Sequence, residues 1–79
     1  MRLLEIRVWT DQDAECLMRE LAAFGPKRRR LGIRIELEER AEAALLACLS
    51  ALQACLLAND IASVRVELDG QAYLLEPAR

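Results

Sequence analysis

Apolar and polar positions along the chain follow two periods, and the switches between them mark the elements. Residues 2–9 alternate, with Leu4, Ile6 and Val8 on one face and Leu3, Glu5, Arg7 and Trp9 on the other. That period of two predicts a strand. The period then changes: Ala14, Leu17, Met18, Leu21 and Phe24 form one stripe at helical spacing. Thr10 supplies an N-cap hydroxyl, with Asp13 three residues on, and Asp11, Asp13 and Glu15 suit the positive end of a helix dipole. Gly25 fits a left-handed stop and Pro26 blocks continuation, so the helix is expected over 11–24. Leu31, Ile33, Ile35 and Leu37 alternate with Gly32, Arg34 and Glu36 in a second strand. A second helix is expected over 38–58, with Glu38, Glu39 and Glu42 at its start and Asn59 past its end. A third strand places Val64, Val66 and Leu68 opposite Ser63, Arg65 and Glu67. Asp69-Gly70 is a strong two-residue hairpin signal. It leads to a fourth strand whose core side would carry Tyr73 and Leu75.

The resulting order is β-α-β-α-β-β. Each of the first three strands has one apolar and one charged face, whereas strands covered by helices on both sides read as continuous apolar runs. Both helices should therefore cover one face of a four-stranded mixed sheet, giving a two-layer α/β sandwich of the α+β type. Helical crossovers stepping in one direction favour strand order 1-2-3-4, or 1-2-4-3 if the hairpin folds inward. Opposite charges on the exposed face (Glu5, Arg7, Arg34, Glu36, Arg65, Glu67) would then sit side by side. The order resembles ferredoxin-like and related α/β sandwiches, an analogy that specifies no function.

The second helix holds more apolar surface than one sheet can cover. On a helical wheel Ala41, Leu45, Cys48, Leu49, Leu52, Cys55 and Leu56 fill the sector for the sheet, as a sheet-covering helix requires. The opposite sector holds Ala43, Ala47, Ala51, Ala54 and Ala58, and between the two run Leu46, Ser50, Gln53 and Leu57. No charge occurs from Ala43 to Ala58. Alanine is the best helix former and tolerates water, which is the plainer explanation. The sharper one is an interface: small residues let a second helix approach, with Leu46 and Leu57 as anchors and Ala47, Ser50, Ala51, Gln53 and Ala54 between them. A second copy across a two-fold axis is the commonest such geometry.

Composition narrows the picture. The 79 residues make one domain, residues 1–79. A chain this size buries only about 60% of its unfolded surface. With 54% hydrophobic and 30% charged residues it is no disordered tail, and with 4% aromatics its core must be aliphatic. A net charge of −2 gives no global attraction to nucleic acid or anionic membrane. The apolar helix falls short of the roughly 20 apolar residues that span a bilayer. Three cysteines, no histidine and no signal-like N-terminus suggest reduced thiols and a cytoplasmic setting. Cys48 and Cys55 on one helix are separated by about 10.5 Å of rise, too far for a disulfide.

Candidate chemistry is sparse. Lys27, Arg28, Arg29 and Arg30 could contact phosphate, or simply form a solvated loop beyond the first helix. Asp11, Asp13 and Glu15 lack the glycine and distal glutamate of a calcium loop, and three cysteines without histidine make no closed zinc site; no metal or cofactor is expected. Cys16 lies off the apolar stripe near a helix start, where a thiolate is stabilised, but no histidine can serve as its base. Trp9 is a candidate anchor on the outer sheet face, with Leu3 and Leu74. The expectation is a non-enzymatic protein-interaction or adaptor module, self-associating through the second helix or binding a larger protein. The alternatives are a nucleic-acid accessory protein using Lys27–Arg30, and a small inhibitor or immunity-type partner that docks by its sheet face or a strand edge.

Overall fold

The computed structural model describes residues 2–30, 32–38, 40 and 42–77. The expected face positions Leu31 and Ala41 and the helix-start residue Glu39 lie outside them. The chain runs β1 (Arg2–Arg7), α1 (Asp11–Glu20), a 3-10 turn (Ala22–Phe24), β2 (Lys27–Arg29), β3 (Gly32–Leu37), α2 (Glu42–Ala58), β4 (Val64–Leu68) and β5 (Gln71–Leu75). The two helices and the sheet's inward face share one core. This is the expected α+β class, with two corrections.

First, the sheet has five strands. The loop expected at 25–30 contributes β2, which pairs antiparallel with β3 (Arg28↔Ile33, Arg29↔Gly32). All three of its residues are exposed, as suits an edge strand blunted by charge, so no apolar alternation announced it. Second, the order is β2-β3-β1-β4-β5 and every pairing is antiparallel, not mixed. β3 pairs with β2 on one side and with β1 on the other, which leaves β1 central between β3 and β4. Each helix thus joins two parallel strands with a third strand between them, α1 from β1 to β2 and α2 from β3 to β4.

Pairing of β1 with both neighbours sets the inward face in register. Leu4 faces Ile35 and Leu68, and Ile6 faces Ile33 and Val66. Leu4, Ile6, Ile33, Ile35 and Val66 are buried beneath Ala14, Leu17 and Leu21 from the first helical segment and Cys48, Leu52 and Leu56 from α2. The outermost strand, β5, receives less cover: Leu75 is half-buried against the core, while Tyr73, expected inside, is 49% exposed. Two helices do not reach across five strands.

The stop and start signals operate locally. Thr10 Oγ1 accepts from Asp13 N at 3.1 Å, and α1 breaks at Leu21 into the 3-10 turn that ends on Gly25 with φ 66°. α2 is described from Glu42, and Glu38, expected at its start, lies outside the helix just past the end of β3 at Leu37. At its far end the left-handed residue is Asp60 (φ 56°), one past the expected Asn59. Asp60 N donates to Leu57 O and Ile61 N to Leu56 O, a Schellman pair, while the Asn59 amide donates to Cys55 O. The Asp69-Gly70 turn has positive φ at both residues (52° and 87°), as a type I′ hairpin requires. The Asp69 carboxylate accepts from Leu3 N and Arg2 Nε, tying the hairpin to the start of β1.

Candidate functional site

The outward stripe of α2 is uncovered. Ala43, Leu46, Ala47, Ser50, Ala54, Leu57 and Ala58 are all exposed, Leu46 and Leu57 at 64% and 60%. Two expected members stand elsewhere. Ala51 is half-buried and packs against the core, because it lies on the flank of the helix rather than its crest. Gln53 donates from Nε2 to the Glu76 carbonyl at 3.1 Å, fastening the chain that follows β5. Leu46, Gln53 and Leu57 share one helical line, seven and four residues apart. That bond therefore sets Leu46 and Leu57 on the flank of α2 nearest the thinly covered β5. The edges of the sheet differ: β2 is Lys-Arg-Arg, whereas β5, Gln-Ala-Tyr-Leu-Leu, carries no charge.

The opposite surface, the outer sheet face, is charged, and the register sorts its charges into rows. One row runs Arg29–Gly32–Arg7–Arg65 across β2, β3, β1 and β4. The next runs Lys27–Arg34–Glu5–Glu67. The expected side-by-side compensation is only partial: Glu5 faces Arg34 but also Glu67, and Arg7 faces Arg65. Placing β1 between β3 and β4, rather than at the edge, brings these like charges together. Ion pairs join Arg34 to Glu5 (3.2 Å), Arg65 to Glu67 (3.8 Å) and Lys27 to Glu36 (3.9 Å). Among the described residues no carboxylate pairs with Arg7 or Arg29. A hollow of about 180 Å³ lies beside Gly32, lined by Arg7, Arg29, Arg34, Arg65, Glu5 and Glu67.

The basic run does not act as one cluster. Strand alternation sends Lys27 and Arg29 to the outer face and Arg28 to the other. Arg28 is occupied structurally, donating to Arg29 O (2.7 Å), Gly32 O (3.0 Å) and Asp11 Oδ1 (3.2 Å). Arg30 sits exposed in the turn. Trp9 lies beyond the end of β1, 76% exposed, with the Arg7 guanidinium carbon 5.9 Å from its ring centre. It does not cluster with Leu3, which lies at the other end of β1. Sequence reasoning placed Arg7, Arg34 and Arg65 on this face but could not bring them to Arg29, since that requires the unannounced edge strand.

The thiols are withdrawn from solvent. Cys16, expected off the stripe, is buried with its Sγ 3.5 Å from that of Cys55 across the α1–α2 contact. Burial pushes the Cys48 thiol up to about 11. Burial, reinforced by the Cys16 contact, pushes Cys55 up to about 12. These groups stay protonated at neutral pH and serve as packing. Among the described residues, no cluster of three or more His, Cys, Asp or Glu side chains could hold a metal ion, and no helix is long and apolar enough to cross a membrane. The chain matches no protein-family model, and no curated protein or solved structure is significantly similar to it.

Proposed function

We propose that this domain is a non-enzymatic protein-interaction module that pairs with a second copy of itself through the flank of α2 and the adjoining strand β5. The observation that carries the reading is the exposure of Leu46 and Leu57 on a helix that carries no charge after Glu42 in its first turn, beside a strand edge that has none. Isolated exposed leucines are ordinary, but here both stand on the flank of α2 that Gln53 ties to the chain following β5, whose Tyr73 is also exposed. Unprotected apolar edge strands pair with other chains, whereas β2 is protected by its cations. A two-fold pairing of β5 edges would carry Leu46, Leu57 and Tyr73 under cover at once. The order β-α-β-β-α-β, followed by β5, supports placing the domain among ferredoxin-like sandwiches, a fold that hosts many functions and decides none. The buried thiols support a reducing compartment such as the cytoplasm.

Burying the exposed part of a leucine contributes about 1–2 kcal/mol, so four leucines across a two-fold supply roughly 4–8 kcal/mol. Association itself costs on the order of 4–15 kcal/mol, so the leucines alone do not hold two copies together and the β5 ladder must add to them. Sedimentation velocity from low to high micromolar protein tests this. Wild type should shift from monomer to dimer, and Leu46→Glu and Leu57→Glu should remain monomeric with unchanged melting of the dilute protein. A wild type that stays monomeric throughout, or glutamate variants that dimerise like wild type, would overturn it.

A further inference from the structure

We infer that the hollow over Gly32 is a phosphate subsite for single-stranded nucleic acid, with Trp9 as the stacking platform for a neighbouring base. The inference rests on the outer sheet face, opposite the helix layer, and is independent of self-association. Arg29 and Arg7 are the cross-strand neighbours of Gly32 on either side. Adjacent strands lie about 4.8 Å apart, so the two guanidinium groups straddle a gap of roughly two strand spacings with no side chain between them. A phosphate seated there receives hydrogen bonds from both sides, in the fork geometry that arginine supplies and lysine does not. Arg34 and Arg65 line the same hollow, already engaged by Glu5 and Glu67. Its rim therefore carries four arginines against two glutamates, an excess of two positive charges on a chain that is acidic overall.

The row has a price in the free protein. Like charges directly opposite on adjacent strands are destabilising, and Arg7 faces Arg65. An anion bound over Gly32 removes that repulsion. Arg7 also ties the hollow to the exposed indole of Trp9, which lies under its guanidinium. An open, cationic sheet face with an adjacent aromatic ring fits a strand of phosphates and unstacked bases. It fits an acidic peptide less well, because the indole would then have no planar partner.

Trp9 is the only tryptophan in the chain, so its fluorescence reports on the site directly. Short oligothymidylate and oligouridylate titrated at low salt should each quench Trp9 saturably. Affinity should fall with salt along a log–log slope near −0.7 per phosphate contacted. Arg29→Gln, at an exposed edge position, should weaken binding about tenfold and make the slope shallower by about 0.7. Arg30→Gln, exposed in the turn away from the hollow, should leave both unchanged. Trp9→Phe, read by oligonucleotide anisotropy, should weaken binding severalfold at unchanged slope. Absence of quenching at low salt would overturn the inference. So would Arg29→Gln binding like wild type, Arg29→Gln and Arg30→Gln weakening binding equally, or a polyglutamate peptide competing as well as the oligonucleotide.

Discussion

Replacing Gly32 by alanine tests a close approach of two strand backbones, β3 and β1. A Cβ at this position would overlap the carbonyl oxygen of Ile6 and come within 3.2 Å of its carbonyl carbon, so β3 and β1 would have to part. The backbone of Gly32 is not left-handed, so alanine meets no conformational penalty of its own, and the effect is steric alone. Overpacking of this kind costs about 1–3 kcal/mol. One weakened ladder hydrogen bond adds ~1 kcal/mol. Against this, alanine restricts the unfolded chain and returns about 0.4–1 kcal/mol. The net loss is roughly 1–3 kcal/mol, which lowers Tm by about 5–20 °C in a domain of this size. Circular dichroism melting of the dilute protein measures it. Asparagine sharpens the contrast. At Gly25, where φ is 66° and nothing stands within 4 Å of the added atom, asparagine should be tolerated better than alanine. At Gly32 the larger asparagine should do no better than alanine. A Gly32→Ala protein that melts within about 2 °C of wild type would refute the steric account.

Other expectations follow from particular side chains. Thr10→Ala removes the acceptor for Asp13 N and should destabilise by about 1 kcal/mol, read as a lower denaturation midpoint at constant m. The three buried thiols should react with an aromatic disulfide reagent at pH 8 only when denaturant is added; rapid labelling of the native protein would contradict their burial. Because Cys48 and Cys55 are raised from 9.0 to about 11 and 12, the stability of their neutral forms is fully present below pH 9 and is lost as pH climbs through 11–12. Cys48→Ala should therefore lose stability less steeply across that window. Asp69 is held below its usual 3.8, first by the Leu3 N–H and then by Arg2. Its contribution is present above that value and lost as pH falls through the lower folded-state value, so Asp69→Asn should flatten the acid limb of a stability–pH profile.

The sequence by itself determined the local elements, because their causes are local. Alternation at Leu4, Ile6 and Val8, the stripe from Ala14 to Phe24, the Thr10 cap, the Gly25 stop and the Asp69-Gly70 turn each act within a few residues, although the helix expected over 11–24 ends at Glu20 and a 3-10 turn carries the chain to Gly25. The uncharged run from Ala43 to Ala58 along the second helix was legible for the same reason. Only the tertiary structure decided the strand order, the fifth strand and the company each charge keeps. An edge strand such as Lys27–Arg29 buries nothing and so leaves no apolar trace. β3 pairs with it on one side and with β1 on the other, which leaves β1 central in an antiparallel sheet rather than the expected mixed one. That one long-range choice aligns Arg29, Arg7 and Arg65 in a row with a gap at Gly32, buries Cys16 against Cys55, and leaves Tyr73 beyond the reach of two helices. Periodicity records which face a residue takes; which residues meet across a sheet depends on contacts between segments far apart in the chain.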